Sequence, residues 1–568
     1  MKNRGQSFLG GAAILMAAAL IVKVIGALFK IPLAAVLGGE GMGYYMTAYS
    51  FFNPVFALSA AGFPIAVSRL TAAASAQRRF DDKRRILNTA LLLFSLSGLL
   101  LWAAVYIIAP LVLKAADNAP ALKAVRCMAP AVFFCCVTSA FRGYYEGGRD
   151  MLPTAFSQVT EAVVKLILGL LLAKRCIDSA LAEWEMSSCV FGFFAADKVD
   201  AMRIISPYAA AAAVSGVAFS TAAGSLVMLI FYLTREKEQR SFSYTLSRRK
   251  TALLLIETAF PVCMGAVVIN LTSLVDLFSV MNRINLAAER DWYSFCQSCP
   301  QAMLHMLEKE RAANFLYGSY TGLAMTVFNL VPALTAALGI CALPMIASTA
   351  ARGDMPLLRK RVQAVIKMTV IMAVPMGMGM SFFAEPILRV LFKDNPLETA
   401  VAARLLVPLG AAAVFVAITG AVNSMLQAMG EVFAPVVLLL IGAAIKLTAN
   451  LLLISRPSVN ILGAPIGTLF CYLFIALGGI HLLGRITGRE IGLFAIMLKP
   501  VIAAFCCCVS ARFCLYRIEN CFSYAVSLLF SVMIGAAVYL ILMVILGGIT
   551  REELFFLKKG EKMQKSPL

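Results

Sequence analysis

Charged side chains sit where a chain this apolar should carry none. Lys23 and Lys30 fall seven residues apart in "LIVKVIGALFKIP" (20–32), two helical turns and therefore one helix face, with Gly26 between them. Lys165 follows Pro153 by twelve residues and Lys446 follows Pro435 by eleven. At about 1.5 Å per residue, both lie near the middle of a spanning helix. Glu161 precedes Lys165 by four residues, the better orientation for a helical ion pair. A local pair would neutralise Lys165 and make it structural; without it, Lys165 is a site. Lys446 has no acidic neighbour at helical spacing. A cation centred in lipid costs roughly 2.5–3.5 kcal/mol on insertion scales, so each lysine needs water, a partner or an anionic ligand. Lys23, Lys165 and Lys446 lining a polar cavity suit an anionic group such as a diphosphate. Asp276 and Glu161 offer carboxylates for a coupling cation or for gating. Lys23 facing Asp276 is either a salt bridge that breaks during switching or a permanent strut. Lys30 and Arg283 read as outer-interface charges whose long side chains snorkel.

The elements that position these charges are helices. The chain has 568 residues, 61% hydrophobic and 14% charged, far below the roughly 25% charge of a soluble protein. Apolar segments of spanning length recur near 8–30, 43–67, 86–109, 122–145, 154–173, 205–233, 258–282, 316–347, 362–383, 401–427, 433–454, 463–484, 493–514 and 523–546. The N-terminal segment is read as a retained first span rather than a cleaved signal. The net charge of +20 is concentrated in alternate loops. Loop 69–85 carries six basic residues against Asp81 and Asp82, 234–250 six against two, and 350–361 four against one. Loops 174–204 and 281–314 are balanced, so the positive-inside rule puts both termini in the cytoplasm. These basic loops read as topology signals beside anionic lipid, not as a nucleic-acid surface.

Distant stretches echo one another. "FPIAVSRLTAAA" (63–74) resembles "LPMIASTAARGD" (343–354), "APAVFFCC" (129–136) resembles "VPLGAAAV" (407–414), and "EAVVKLILGLLL" (161–172) resembles "GAAIKLTANLLL" (442–453). The last aligns Lys165 with Lys446, and an earlier echo aligns Lys23 with Asp276. The reading is an all-α integral membrane protein of about fourteen transmembrane helices, two pseudo-symmetric six-helix lobes plus two C-terminal helices. The boundaries are 1–234 for the N-terminal lobe, 235–250 for a basic cytoplasmic linker, 251–485 for the second lobe, and 486–568 for the two extra helices and a basic tail. Repeated lobes favour transport, with a substrate site between them. Pro261, Pro332, Pro375 and "PMGMG" (375–379) offer kinks.

Other chemistry is scarce. Only two histidines occur, His305 and His481, so most histidine-based catalysis is not expected, and without a GxxxxGK loop neither is nucleotide hydrolysis by this chain. "CQSC" (296–299) with His305 supplies three metal-ligand types where a closed zinc site needs four. Cys296 and Cys299 therefore read as ordinary thiols or a local disulfide, and neither a metal nor a cofactor is expected. Most other cysteines, such as Cys506 to Cys508, fall in apolar runs and behave as small apolar residues.

The segments "KVIGALFKIPLAAVLGGEGMGYYMTAYSFF" (23–52), "AAGFPIAVSRL" (60–70), "FRGYYEGGRDMLPTAFSQVTEAVVK" (141–165) and "GAPIGTLFCYL" (463–473) carry a family likeness. The sequence resembles the polysaccharide-transport branch of the multidrug/oligosaccharidyl-lipid/polysaccharide (MOP) flippase superfamily, the group of stage V sporulation protein B and Gram-positive lipid II flippases. The resemblance implies a cationic central cavity and alternating access in the bacterial cytoplasmic membrane. It also implies an undecaprenyl-diphosphate-linked oligosaccharide as cargo, such as lipid II. It places Lys23 where relatives commonly carry a basic cavity residue and Asp276 where the seventh helix often carries an acid. Arg142 and Glu146 match a motif at the cytoplasmic end. Two departures stand out: a longer loop at 285–312, and "SFFNPVFAL" (50–58), which lacks the second-helix arginines of Gram-negative relatives. The expected drive is an ion gradient or the membrane potential. The alternatives are a cation-coupled multidrug exporter of the same superfamily, or a membrane glycosyltransferase or scaffold.

Overall fold

The structure is a computed structural model that describes residues 8–77, 79–234, 247–298, 309–431, 433–488 and 491–548. Most of the expected cytoplasmic linker (235–246), Cys299, His305 and the basic tail lie outside the described residues. By contact, the chain divides into two compact units, Met1–Trp292 with His305–Gly322, and Tyr293–Leu304 with Leu323–Leu568.

The first unit holds α1 (Phe8–Ala57), α2 (Phe63–Ala76), α3 (Phe80–Ala115), α4 (Leu122–Met128), α5 (Pro130–Gly147), α6 (Leu152–Ser187), α7 (Lys198–Thr234) and α8 (Arg248–Arg290). A two-stranded hairpin, β1 (Cys189–Val190) with β2 (Phe193–Phe194), links α6 to α7. After α9 (Trp292–Ser298), which lies almost wholly in the second unit, α10 (Lys309–Gly318) returns to the first. Helix α1 breaks at Gly38, whose φ of 65° is a left-handed conformation that glycine adopts without steric cost. Before the break, Leu20, Ile21, Val24 and Leu28 are exposed; after it, Met42, Tyr45 and Ala48 are buried. Phe29, Leu33 and Leu37, just ahead of the break, are buried as well, and α1 as a whole packs against α6, α8 and α10. Its contact with α10 is backbone to backbone. A Cβ on Gly318 would lie 1.9 Å from the Gly39 carbonyl oxygen, and one on Gly43 2.2 Å from that of Asn314. Small residues four apart are what such an approach requires.

The second unit holds α11 (Met325–Phe328), α12 (Leu330–Ala351), α13 (Met355–Phe382), α14 (Ala384–Leu391), α15 (Pro396–Ala428), α16 (Phe433–Leu453), α17 (Gly463–Thr487), α18 (Leu493–Ile518) and α19 (Tyr524–Ile545). Helix α15 is its axis, packed against α12, α13 and α17. The expected C-terminal pair, α18 and α19, packs onto α13 and α14, where Tyr539 Oη donates to the Ile371 carbonyl at 2.8 Å. Pro332 sits in the first turn of α12, where its missing N–H costs nothing.

Eleven helices among the described residues are long and apolar enough to cross a membrane. The first, Ile14–Ala57, contains two of the segments read from sequence. Two further segments fall on α8 and on the run from α10 to α12, which are not among the eleven. The chain is an all-α integral membrane protein; the number fourteen is not established by this count. The stretch 285–312, read as a loop, is helical wherever it is described apart from Asp291, which separates α8 from α9. Balanced charge places a segment outside hydrocarbon but does not make it irregular. Cys296 is buried in α9, and burial pushes its thiol above the usual range, which opposes the thiolate a metal would need. Among the described residues, no three metal-ligating side chains cluster.

Candidate functional site

Helix α6 lays Ser157, Glu161 and Lys165 along one face, each four residues after the last. Arg142 reaches across from α5. Its Nη2 donates to Glu161 Oε1 at 2.8 Å and to Ser157 Oγ at 2.9 Å, and its Nε donates to Ser157 Oγ at 3.1 Å. The guanidinium thus bridges two successive turns of α6. On the opposite side, a Cβ on Gly224 of α7 would stand 2.1 Å from Glu161 Oε1, so glycine leaves the carboxylate its room. Glu161 therefore pairs with Arg142 and not, as its spacing predicts, with Lys165. A fixed guanidinium on a neighbouring helix presents two donors to Glu161 and Ser157, while the i,i+4 lysine presents a flexible point charge.

Lys165 is left facing aromatic rings. Its Nζ lies 5.4 Å from the centroid of Phe29 and 6.0 Å from that of Tyr49, within cation–π reach. Tyr45 continues this wall, 4.9 Å from Tyr49 and 6.2 Å from Phe29 between centroids. No carboxylate pairs with Lys165 within 4 Å among the described residues. Lys30, expected at an outer interface, is instead half-buried and close enough to Lys165 for the two charges to repel. Lys165, set against aromatic rings with a second lysine in electrostatic range and no carboxylate within 4 Å among the described residues, makes a region of positive potential suited to an anion.

The remaining candidates separate. Lys23 is exposed two turns earlier on α1, and no ion pair joins it to Asp276, which is half-buried on α8. Arg283 is half-buried near the end of α8, where the neighbouring Asn282 Nδ2 donates to the Ala115 carbonyl at 2.9 Å. In the second unit, Lys446 is packed into the interior of α16, only 6% exposed, one turn before the fully buried Asn450.

A second polar cluster of the first unit went unread in the sequence. Arg311 of α10 forms an ion pair with Glu40 of α1, just past the break, and Tyr44 Oη donates to the same carboxylate at 3.1 Å. Asn314 Nδ2 donates to the Glu40 carbonyl at 2.6 Å. Asn118 Nδ2 donates to Asn314 Oδ1 at 3.1 Å and to Thr47 Oγ1 at 3.0 Å. The available signal was a glutamate set among glycines in "GGEGMG" (38–43) inside an apolar run.

Residues 8–197 match the family described as polysaccharide biosynthesis protein, and residues 318–537 match the family described as Lipid II flippase MurJ. Stage V sporulation protein B of Bacillus subtilis (strain 168) is 24% identical over 554 residues, covering 97% of each chain. A solved structure of the lipid II flippase MurJ, in an inward closed conformation, aligns with a TM-score of 0.59 at 16% identity, covering 94% of this chain and 98% of that one. The chain is thus similar to polysaccharide biosynthesis proteins over its N-terminal third and to lipid II flippases over much of its C-terminal half. An inward-facing multidrug resistance MATE family transporter of the MOP superfamily aligns with a TM-score of 0.60 at 13% identity, covering 85% of this chain and 95% of that one. At such identities the two solved structures speak for the fold. The second family match is to proteins described as lipid II flippases, and the chain itself is multi-pass, with eleven helices of spanning length among the described residues.

Proposed function

We propose that the chain moves an undecaprenyl-diphosphate-linked oligosaccharide, lipid II or a related envelope precursor, across the bacterial cytoplasmic membrane. The observation that carries this reading is Lys165, set against Phe29 and Tyr49 with Lys30 in electrostatic range and no carboxylate partner among the described residues. A diphosphate offers the two lysines the countercharge that the protein withholds. Lys23, exposed on the same helix, adds positive potential along the way in. Lys446 and Asp276 remain candidates for substrate binding and for ion coupling or gating. Both termini lie in the cytoplasm on this reading, and the drive is a coupling cation or the membrane potential. One charge moved across 100 mV gains about 2.3 kcal/mol, enough to bias two conformations that differ by a few kcal/mol. A drug exporter of the same fold would need a carboxylate open to a cationic drug, whereas Glu161 is closed by Arg142.

The test uses cells depleted of their own lipid II flippase and expressing this chain, with lipid II at the outer leaflet measured by its accessibility to an external probe. The wild-type chain should restore exposure, and Lys165→Ala and Lys30→Ala should each abolish most of it at unchanged protein level. No exposure from a well-expressed, inserted wild-type chain removes lipid II as cargo. Full exposure from both variants removes the lysine pocket.

A further inference from the structure

Glu161 has two cationic neighbours to choose from, and its choice decides whether Lys165 is left without a carboxylate partner. Lys165 lies one turn further along the same helix face, within range of the Glu161 charge. Arg142 takes the carboxylate instead, at 2.8 Å, and its second anchor on Ser157 fixes the guanidinium over the turn before Glu161. Gly224 gives the carboxylate room beside α7, where any larger residue would collide with it. Among the described residues no carboxylate relieves Lys165: its other charged neighbour, Lys30, is also a cation, and its aromatic contacts are Phe29 and Tyr49. The other carboxylate near Arg142 is Glu146, one turn on along α5.

We infer that Arg142 is a positioning residue for anion binding: it sequesters Glu161 and so leaves Lys165 without a carboxylate partner. It does this without touching the anion. Removing Arg142 releases Glu161 to pair with Lys165 at its favoured i,i+4 spacing, which cancels the pocket from within. Removing both Arg142 and Glu161 leaves Lys165 as it was. The inference rests on the reading of Lys30 and Lys165 as an anion pocket, yet the state of Lys165 can be read without any cargo.

The experiment compares wild type, Arg142→Gln, Glu161→Gln and Arg142→Gln/Glu161→Gln as full-length protein in detergent. The first readout is the rate at which Lys165 is acylated by an amine-selective reagent, followed by peptide mass spectrometry, with Lys23 as the internal reference. An ammonium held by a carboxylate is acylated more slowly. Arg142→Gln should slow Lys165 labelling by threefold or more relative to Lys23, and the double variant should return to the wild-type ratio. The second readout is binding of farnesyl diphosphate, with farnesol as the uncharged control. Binding should weaken tenfold or more in Arg142→Gln and recover in the double variant. Arg142 as a mere structural brace predicts that the double variant is at least as impaired as the single one. That result, or unchanged labelling in Arg142→Gln, overturns the inference. Should Arg142→Gln fold poorly, Gly224→Ala displaces Glu161 from the other side and must slow the same labelling; an unchanged rate there overturns the inference equally. Labelling that behaves as expected, in a wild-type protein that ignores farnesyl diphosphate, would sink the anion pocket and leave the role of Arg142 standing.

Discussion

Arg311→Ala tests the polar clamp at the α1 break. The Glu40 side chain is 10% exposed and that of Arg311 15%, and the two meet in an ion pair. Deleting the guanidinium leaves a buried carboxylate with only the Tyr44 hydroxyl and local dipoles to hold it. Breaking a buried pair from one side costs about 3–5 kcal/mol. The retained Tyr44 bond offsets part of this, so we expect about 3 kcal/mol. Glu40→Gln/Arg311→Met removes both charges, keeps an acceptor for Tyr44 and fills much of the same volume. Replacing a buried pair with neutral groups of similar volume is often close to neutral, so this variant should lose no more than about 1 kcal/mol. The single change is thus expected to be worse than the double one. All three tryptophans, Trp102, Trp184 and Trp292, lie in the first unit, so tryptophan fluorescence during denaturant titration in detergent reports on that unit. Should Arg311→Ala unfold at the midpoint of the double variant, or within about 1 kcal/mol of wild type, the pair is not buried in the sense argued.

Two glycines of α1 should respond with opposite signs. Gly43→Ala forces a Cβ to within 2.2 Å of the Asn314 carbonyl oxygen and should cost about 1–3 kcal/mol through backbone displacement, read by the same tryptophan signal. Gly26→Ala meets nothing within 4 Å and should be neutral or stabilising by up to about 1 kcal/mol, as for a free helical site. Tyr539→Phe removes the 2.8 Å bond to Ile371 that ties α19 to α13 and should cost about 1 kcal/mol. A thiol-reactive dye reporting the buried Cys471 and Cys508 of the second unit would show this as a small drop in melting temperature; no drop means that the bond is replaced by water.

The helices were legible because spanning length and hydropathy are local properties. The break at Gly38 was not, since "VLGGEG" (36–41) reads equally as a loop between two spans and as one bent helix. Both are the same apolar run until φ is known. Lys165 was legible as a mid-membrane charge from its distance to Pro153, but the partner of its neighbour Glu161 was not. Spacing along α6 offered Glu161, and only the packing of α5 brings Arg142 to that carboxylate first. Arg142 itself was visible in "FRGYYEGG" (141–148) as part of a family motif without a stated task. The Glu40 cluster was hidden for a related reason: its partners Asn118, Arg311 and Asn314 lie between 78 and 274 residues away, beyond any sequence period.

The break in α1 and the choice made by Glu161 solve the same problem, how to keep opposite charges apart in a low-dielectric interior. Lys30 and Glu40 are ten residues apart on one element, with the break between them. An unbroken helix would carry both on a single rigid axis about 15 Å apart, with no means of aiming them independently. Gly38 divides the half that carries Lys30, in electrostatic range of Lys165, from the half that delivers Glu40 to Arg311. On α6, where no break separates Glu161 from Lys165, the separation is made by a partner from α5. In both places a carboxylate is closed by an arginine, and the lysines are left open. Arginine brings the planar fork suited to fixed pairing, and lysine the mobile point charge suited to a transient anion.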